Sequence, residues 1–210
     1  MEPLPPPQAR VLGCLLEKQL ATPQYYPLTL NALVAACNQS SNRDPVTDYQ
    51  EAEVADAIAG LREQALVRIV HSAGNRVPKY RHVLDETWGL DSAHRAVLAV
   101  LLLRGPQTLG ELRARTERLA TFDSLDEIEE VLRLLNVRDV PLARLLERRP
   151  GQKEARYAHL MSGEVSLAAE HTPDAERTRS GPGLAERVAA LEETVAALSA
   201  LVEELRAVLE

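Results

Sequence analysis

The hydrophobic and polar positions of the chain follow a pattern that occurs twice in the first 160 residues. The segment Pro27–Leu33 recurs as Pro106–Leu112, and in each a threonine suited to capping a helix precedes two leucines one turn apart. The segments Thr47–Gln50 and Ser124–Glu127 have the spacing of a capping box, and apolar residues follow both at helical intervals. An apolar helical pattern also precedes each threonine, so each copy is predicted to contain three helices.

The period changes after the third helix of each copy. Alternating residues typical of strands flank turn-forming residues at 72–75 and 150–152. The four predicted strands are Leu66–His71, Lys79–Val83, Arg144–Arg148 and Arg156–Leu160. Three helices followed by a hairpin are the element order of a winged helix. The predicted fold class is mainly α with small β-hairpins, an α+β chain of two tandem winged-helix domains followed by a C-terminal coiled-coil helix.

The predicted domain limits follow from these patterns. They are 8–83 for the first winged-helix domain, 91–160 for the second, 163–183 for a flexible linker rich in helix breakers, and 184–210 for the coiled coil. Leu84–Leu90 is predicted to be a hinge. Trp88 in that hinge is expected to pack between the domains, because a lone large aromatic residue is usually buried.

The C-terminal extension carries a heptad pattern with β-branched residues at a and leucine at d, except for leucine at the last a position. This choice favours a parallel two-stranded coil, so the chain is predicted to form a homodimer. The dimerisation positions are Leu184, Val188, Leu191, Val195, Leu198, Val202, Leu205 and Leu209. Leu201 and Val208 widen the apolar stripe, which leaves open a higher oligomer or a helix that packs back on its own chain.

Charge and composition change this picture only slightly. The net charge is −7, but residues 163–210 hold ten acidic and four basic side chains, so both predicted domains are close to neutral. Two cysteines in 210 residues, without metal-binding spacing, favour a reducing cytoplasm. The chain has no apolar run of membrane-spanning length and begins without a basic and apolar leader, so no membrane partner is expected.

Several runs of residues resemble a known family. They are Arg10–Lys18, Tyr26–Leu33, Cys37–Val46, Arg76–His82, Leu103–Thr108 and Pro150–Tyr157. Together they are similar to the bacterial YceH-like family over roughly residues 8–160, and the run Cys37–Val46 is the most specific of them. The resemblance implies tandem winged helices in a cytoplasmic bacterial protein. It implies no biochemical role, because none is established for the family.

The predicted third helices are poorly suited to reading DNA. Winged helices usually lay this helix in the major groove, where basic and amide side chains meet bases and phosphates. The first offers Glu51, Glu53 and Asp56 with only Arg62, and the second offers Asp126, Glu127, Glu129 and Glu130 with only Arg133. Part of this acidity stabilises the first turn through the helix dipole. Several anions directed at phosphate would still oppose binding.

The predicted wings are basic instead. Their candidate nucleic-acid contacts are Arg68, Arg76, Lys79, Arg81, Arg144, Arg148, Arg149 and Lys153. Such residues could hold a phosphate backbone without reading sequence. The chain is therefore predicted to be a binding protein whose partner is DNA, through the wings, or an unidentified protein, through the acidic third helices and the coiled coil. A basic hairpin that is merely solvated remains a third interpretation.

No pattern of catalytic or cofactor chemistry is found, so neither an enzyme nor a cofactor nor a metal site is predicted. His82 and His159 hold equivalent strand positions, which favours packing over metal ligation, and Cys14 and Cys37 lie on apolar helix faces as small core residues. The family-signature loop consists of Asn38, Gln39, Asn42, Arg43, Asp44 and Pro45, with serines between. We expect its side chains to cap and staple the second and third helices, with a binding site as the alternative.

Overall fold

The structure is a computed structural model that describes residues 2–70, 77–148 and 151–163. Over these residues it is a mixed fold of seven α-helices and small antiparallel sheets. The elements are α1 (Pro6–Ala21), β1 (Leu28–Thr29), α2 (Leu30–Cys37), α3 (Glu51–Glu63), β2 (Val67–Val70), β3 (Lys79–His82), α4 (Leu84–Trp88), α5 (Ser92–Arg104), α6 (Leu109–Thr116), α7 (Leu125–Asn136), β4 (Ala143–Leu145) and β5 (Tyr157–His159), with a 3-10 turn at Pro23–Tyr25. The linker and the heptad positions of 184–210 lie outside the described residues, as do Arg76 and Arg149.

The helix starts are set by side-chain caps. Thr29 and Thr108 each accept a hydrogen bond from the backbone N–H three residues on, as the sequence predicts. Ser124 likewise accepts from the N–H of Glu127 at 3.3 Å, which confirms the predicted start of α7.

The start predicted for α3 is wrong by three residues. Gln50, and not Thr47, precedes the helix and forms the capping box with Glu53. The reason lies in Asn38, the residue after α2, because its side chain donates to the carbonyl of Tyr49 and accepts from its N–H, both at 2.8 Å. These two bonds hold the backbone before Gln50 outside the helix, and Thr47 donates its hydroxyl to the carbonyl of Cys37 instead.

The two copies share one sheet arrangement. In the first, β3 lies between β1 and β2, and all pairs are antiparallel with Tyr80 opposite both Leu28 and Ile69. In the second, β5 pairs with β4, and Tyr157 also forms a bridge to Gln107, which precedes α6 as β1 precedes α2. The predicted order of helices and strands is therefore found in both copies.

The two copies pack against each other through α1 and α5. Helix α5 is buried from Ala96 to Leu103, on all sides, as expected of a helix that lies between two layers. Gly13 of α1 makes the approach possible, because a Cβ there would lie 2.9 Å from Cγ of Leu103. The described residues thus fall within one compact unit, Met1–Ser166, with a continuous core.

The segment predicted as a hinge is ordered. It forms α4, and Leu84 and Leu90 at its ends are buried in the shared core. Trp88 packs against that core, and its carbonyl accepts a hydrogen bond from Arg138 at 2.6 Å. Among the described helices, none is long and apolar enough to cross a membrane.

Candidate interaction surfaces

Two cations of the β2–β3 hairpin, the predicted first wing, are neutralised by the helix that follows it, while Lys79 of β3 is half-buried and forms no ion pair with that helix among the described residues. Glu86 of α4 accepts from Arg68 and from Arg81, each at 2.7 Å, and Asp85 lies 3.7 Å from Arg81. A phosphate would have to displace these carboxylates before it could bind the two arginines. The sequence interpretation counted acids only between Arg68 and His82 and so missed α4, which the chain places against the wing directly after β3.

The second wing keeps more exposed basic side chains. Arg144, Arg148 and Lys153 are exposed, and Arg148 donates to the backbone carbonyl of Lys153 at 3.4 Å. Two carboxylates, Glu147 and Glu154, are exposed on the same wing. Any attraction for phosphate is therefore partly cancelled there too.

The outward faces of α3 and α7 are acidic, as their sequences indicate. All three acids near the start of α3 are exposed, and so are the four acids of α7. On α7, Arg133 donates to both oxygens of Glu130 at 2.6 Å, and this hydrogen bonding lowers the pKa of the Glu130 carboxyl below its usual range. Helix α7 therefore has little positive charge to offer a phosphate backbone.

Helix α7 also exposes large apolar side chains, which α3 does not. Leu134, Val137 and Val140 are 38%, 61% and 52% exposed and lie at three-residue intervals from the last turn of α7 into the loop after it. We call these three residues the α7 patch. The exposed apolar side chains of α3 are only the small ones of Ala52 and Ala59. Nothing in the periodicity of α7 required apolar residues on its solvent side.

The family-signature loop holds a buried ion pair. Arg43 is 4% exposed and donates to both oxygens of Glu17, at 2.7 and 3.3 Å, and to the carbonyl of Ala36 at 2.9 Å. Burial alone would raise the pKa of Glu17, but the hydrogen bonds and charge of Arg43 outweigh it and lower that pKa. Gln39 accepts a further bond from Arg43 at 2.9 Å.

The same loop joins the two copies. The N–H of Asp44 donates to the carbonyl of Leu103 at 2.9 Å, and Arg104 donates to the side chain of Asn42 at 3.0 Å. Arg10 donates to the carbonyl of Pro45 at 2.6 Å. The side chains of Asn38, Gln39, Asn42 and Arg43 thus bond to the protein itself. This geometry favours the stapling interpretation over a ligand site, and the staple extends to α5 as well as to α3.

His82 is fully buried, and His159 at the equivalent position is half-buried with its Nδ1 atom inaccessible to solvent. Burial lowers the pKa of both His82 and His159 to about 4, so both rings are neutral at neutral pH. His82 accepts from the N–H of Leu84 at 3.2 Å and bonds to Gln19 through its other ring nitrogen. Within the described ranges, no cluster of residues suited to hold a metal ion is found.

Comparison with known proteins places the chain in a family. The family model described as a protein of unknown function, DUF480, matches residues 4–152. A UPF0502 protein of Geotalea uraniireducens is 53% identical over 201 residues, which cover 95% of this chain and 91% of the relative.

Other relatives agree. A UPF0502 protein of Geobacter sulfurreducens is 52% identical over 191 residues, covering 91% of this chain and 84% of the relative. A UPF0502 protein of Chromobacterium violaceum is 48% identical over 195 residues, covering 93% of this chain and 87% of the relative. The expected membership of an uncharacterised bacterial family is confirmed, while the YceH-like name and the winged-helix assignment stay predictions. The chain belongs to the DUF480 family of proteins of unknown function, with the bacterial UPF0502 proteins as its relatives.

Proposed function

We propose that this protein is a non-enzymatic, cytoplasmic protein-binding protein, built on tandem winged helices, that docks its partner on the α7 patch. Self-association through the heptad positions of 184–210 is part of the proposal, on the sequence pattern alone. The winged-helix assignment is supported by the element order of each copy and by the short strand or bridge that precedes α2 and α6.

The exposed apolar residues of the α7 patch are the observation that carries the proposal. Monomeric proteins seldom expose a large apolar patch unless the surface binds something, and here three large aliphatic side chains are exposed within residues 134–140. Arg133 is paired with Glu130, and Arg138 is next to Asp139 in the sequence, so the patch has little net positive charge beside it to attract nucleic acid, and a protein is the favoured partner. The neutralisation of Arg68 and Arg81 by Glu86 also favours a protein over nucleic acid as the partner.

Replacing Val137 by aspartate should strongly weaken partner binding without changing the fold. A buried aliphatic anchor at the centre of an interface contributes about 2 kcal/mol or more, so capture of the partner should fall by about thirtyfold. Val137 is 61% exposed, so the free protein should keep its thermal midpoint. The measurement is affinity capture from nuclease-treated lysate of the source bacterium, quantified by mass spectrometry.

Ala59→Asp provides the matched control, because it adds the same charge at an exposed position of α3. Proteins captured equally by wild type and Ala59→Asp, and lost with Val137→Asp, are the expected result. If all three baits capture the same set of proteins in the same amounts, the α7 patch is not a docking site.

A weak, sequence-tolerant contact between the second wing and DNA is the second candidate function. The exposure of Arg148 and Lys153 favours it. Binding of a random duplex would then weaken with salt, with a slope of log K against log salt of about −0.9 for each phosphate contacted.

In that case Arg148→Glu combined with Lys153→Glu should remove binding at low salt, as measured by fluorescence anisotropy. Arg68→Glu should change it little, because Glu86 already neutralises Arg68. No anisotropy change with wild-type protein at low salt would reject this candidate and leave the protein-binding proposal untouched.

A further inference from the structure

Strand β2 is an edge of the first sheet. Because β3 lies between β1 and β2, β2 has a neighbouring strand on one side only within the described residues. An edge strand presents a row of backbone N–H and C=O groups on its free side, and a strand of another chain can pair with such a row. The hydrogen bonds to β3 determine which residues of β2 face that free side.

The hydrogen bond at the start of the ladder identifies these residues. The N–H of Val83 donates to the carbonyl of Leu66 at 3.0 Å, so these two residues form a hydrogen-bonded pair. In an antiparallel ladder, such pairs alternate with pairs that exchange no hydrogen bonds. Val67 lies opposite His82, one position along, and therefore directs its backbone N–H and C=O away from β3. The same holds for Ile69, two positions further.

Two other hydrogen bonds support this alternation. The N–H of His82 donates to a side-chain hydroxyl on the β1 side at 2.8 Å, so it points away from β2. In the second copy, the N–H of Leu160 donates to the carbonyl of Leu142 at 2.9 Å. By the same alternation, Leu145 faces the free edge of β4 as Ile69 faces the free edge of β2.

An open cleft lies beside the free edge of β2. Its volume is about 460 Å³, which is within the range of ligand clefts. The walls are the end of α3, the turn after it, the edge of β2 and one residue of α4. The lining residues are Arg62, Ala65, Val67, Arg68, Ile69 and Thr87. Because two of them direct their backbone groups outward, the cleft gives a peptide access to those groups.

The charges at the cleft determine what kind of peptide it fits. Arg62 is exposed and lies beyond ion-pair distance of Glu63 and of every other described acid. Arg68 also lines the cleft, but Glu86 already binds it at 2.7 Å. One unneutralised cation therefore remains, and it attracts a carboxylate. It also disfavours a second copy of β2 as the occupant, because that copy would bring the same arginines.

We propose that the free edge of β2 binds an extended acidic peptide segment of another protein, which adds to the first sheet as a further strand. The backbone of the segment bonds to the outward N–H and C=O groups of Val67 and Ile69, and a carboxylate of the segment pairs with Arg62. Side chains that favour extended backbone, such as valine and threonine, suit the other positions. This surface belongs to the first copy and does not depend on the α7 patch.

The probe is a capped peptide of alternating valine and threonine with a central glutamate, titrated into isotope-labelled full-length protein. At millimolar peptide we expect saturable shifts of the amide signals of Val67 and Ile69. Hydrogen exchange should become slower at Ile69 and stay unchanged at Arg68, whose N–H faces β3. A peptide with a central lysine should bind about fivefold more weakly, because it places a like charge beside Arg62. A peptide with proline on both sides of the glutamate should not bind, because it lacks the backbone donors.

Two variants of the protein have matched controls. Ile69→Pro removes the outward N–H without removing a hydrogen bond to β3, so it should weaken binding of the glutamate peptide about tenfold. Leu145→Pro makes the same change at the free edge of β4 and should leave binding unchanged. Arg62→Glu should weaken binding about fivefold. Arg113→Glu, at an exposed arginine of α6, should not change it.

The proposal is overturned if the glutamate peptide shifts neither amide signal of wild-type protein. Equal binding of the lysine peptide, or of the proline peptide, overturns the acidic partner or the strand addition respectively. Slow exchange at Ile69 in concentrated protein without peptide, lost on dilution, would assign the edge to a second copy instead. The titrations of wild-type protein decide the question even if a proline variant does not fold.

Discussion

Replacing Glu17 by alanine is expected to lower the free energy of unfolding by about 3 to 5 kcal/mol. The change leaves the guanidinium of Arg43 buried without the carboxylate that binds it through two hydrogen bonds. It also leaves the α2–α3 loop, and with it the contact of Asp44 with α5, poorly anchored. A loss of this size is a large part of the stability of an ordinary domain. The measurement is urea unfolding followed by circular dichroism.

Lys18→Ala is the matched control. The ammonium group of Lys18 lies 3.4 Å from the same carboxylate but is partly exposed, so its removal should cost less than about 1 kcal/mol. The double change Glu17→Leu with Arg43→Met should recover part of the loss, because it removes both charges together. A loss below about 1 kcal/mol for Glu17→Ala would show that water reaches Arg43 and that the pair does not anchor the loop.

The protein is also expected to lose stability as the pH falls from about 6.5 to about 4. The pKa of His82 and of His159 is lowered to about 4 in the folded chain, while the unfolded chain keeps a value of about 6.5. Between these values the unfolded state binds more protons, so the free energy of unfolding decreases with decreasing pH. The loss should reach about 3 kcal/mol per histidine at pH 4.

The variants that check this are His82→Asn and His159→Leu. Asparagine can still accept the hydrogen bond from the N–H of Leu84, and leucine fills the site of a ring whose Nδ1 has no hydrogen-bond partner. Each variant should remove about half of the decrease in the free energy of unfolding between pH 6.5 and pH 4. The measurement is urea unfolding at a series of pH values. If the free energy of unfolding depends on pH equally in both variants and in wild type, the pH dependence comes from carboxylates and not from these histidines.

Some properties of the candidate interaction surfaces could be predicted from the sequence, and others could not. The acidic character of α3 and α7 could be predicted, because helical periodicity alone separates the buried positions from the exposed ones. The ion pairs of Arg68 and Arg81 could not, since they depend on how α4 returns to the hairpin. The exposure of Val137 and Val140 was also not predictable, because both lie beyond the end of α7, where helical periodicity no longer separates buried from exposed positions.

The capping residues also divide into those that local sequence predicts and one that a tertiary contact decides. Ser124 and Thr108 follow the local rule and cap their helices. Thr47 does not, because Asn38, which is remote in sequence, binds both backbone groups of Tyr49 and delays the start of α3. Local propensity decides a helix start only where no tertiary hydrogen bond competes for the same backbone.

The repeat, the three helices and the hairpin of each copy, the acidity of the third helices and the burial of the two cysteines were all present in the one-dimensional pattern, whereas α4 was not. They depend on side-chain period and composition, which act over a few residues. Tertiary structure alone decided that α1 and α5 join the copies into one core, that Glu86 pairs with Arg68 and Arg81, and that Arg43 of the loop meets Glu17 of α1. These features depend on contacts between residues far apart in the sequence, and such contacts leave no periodic signal in it.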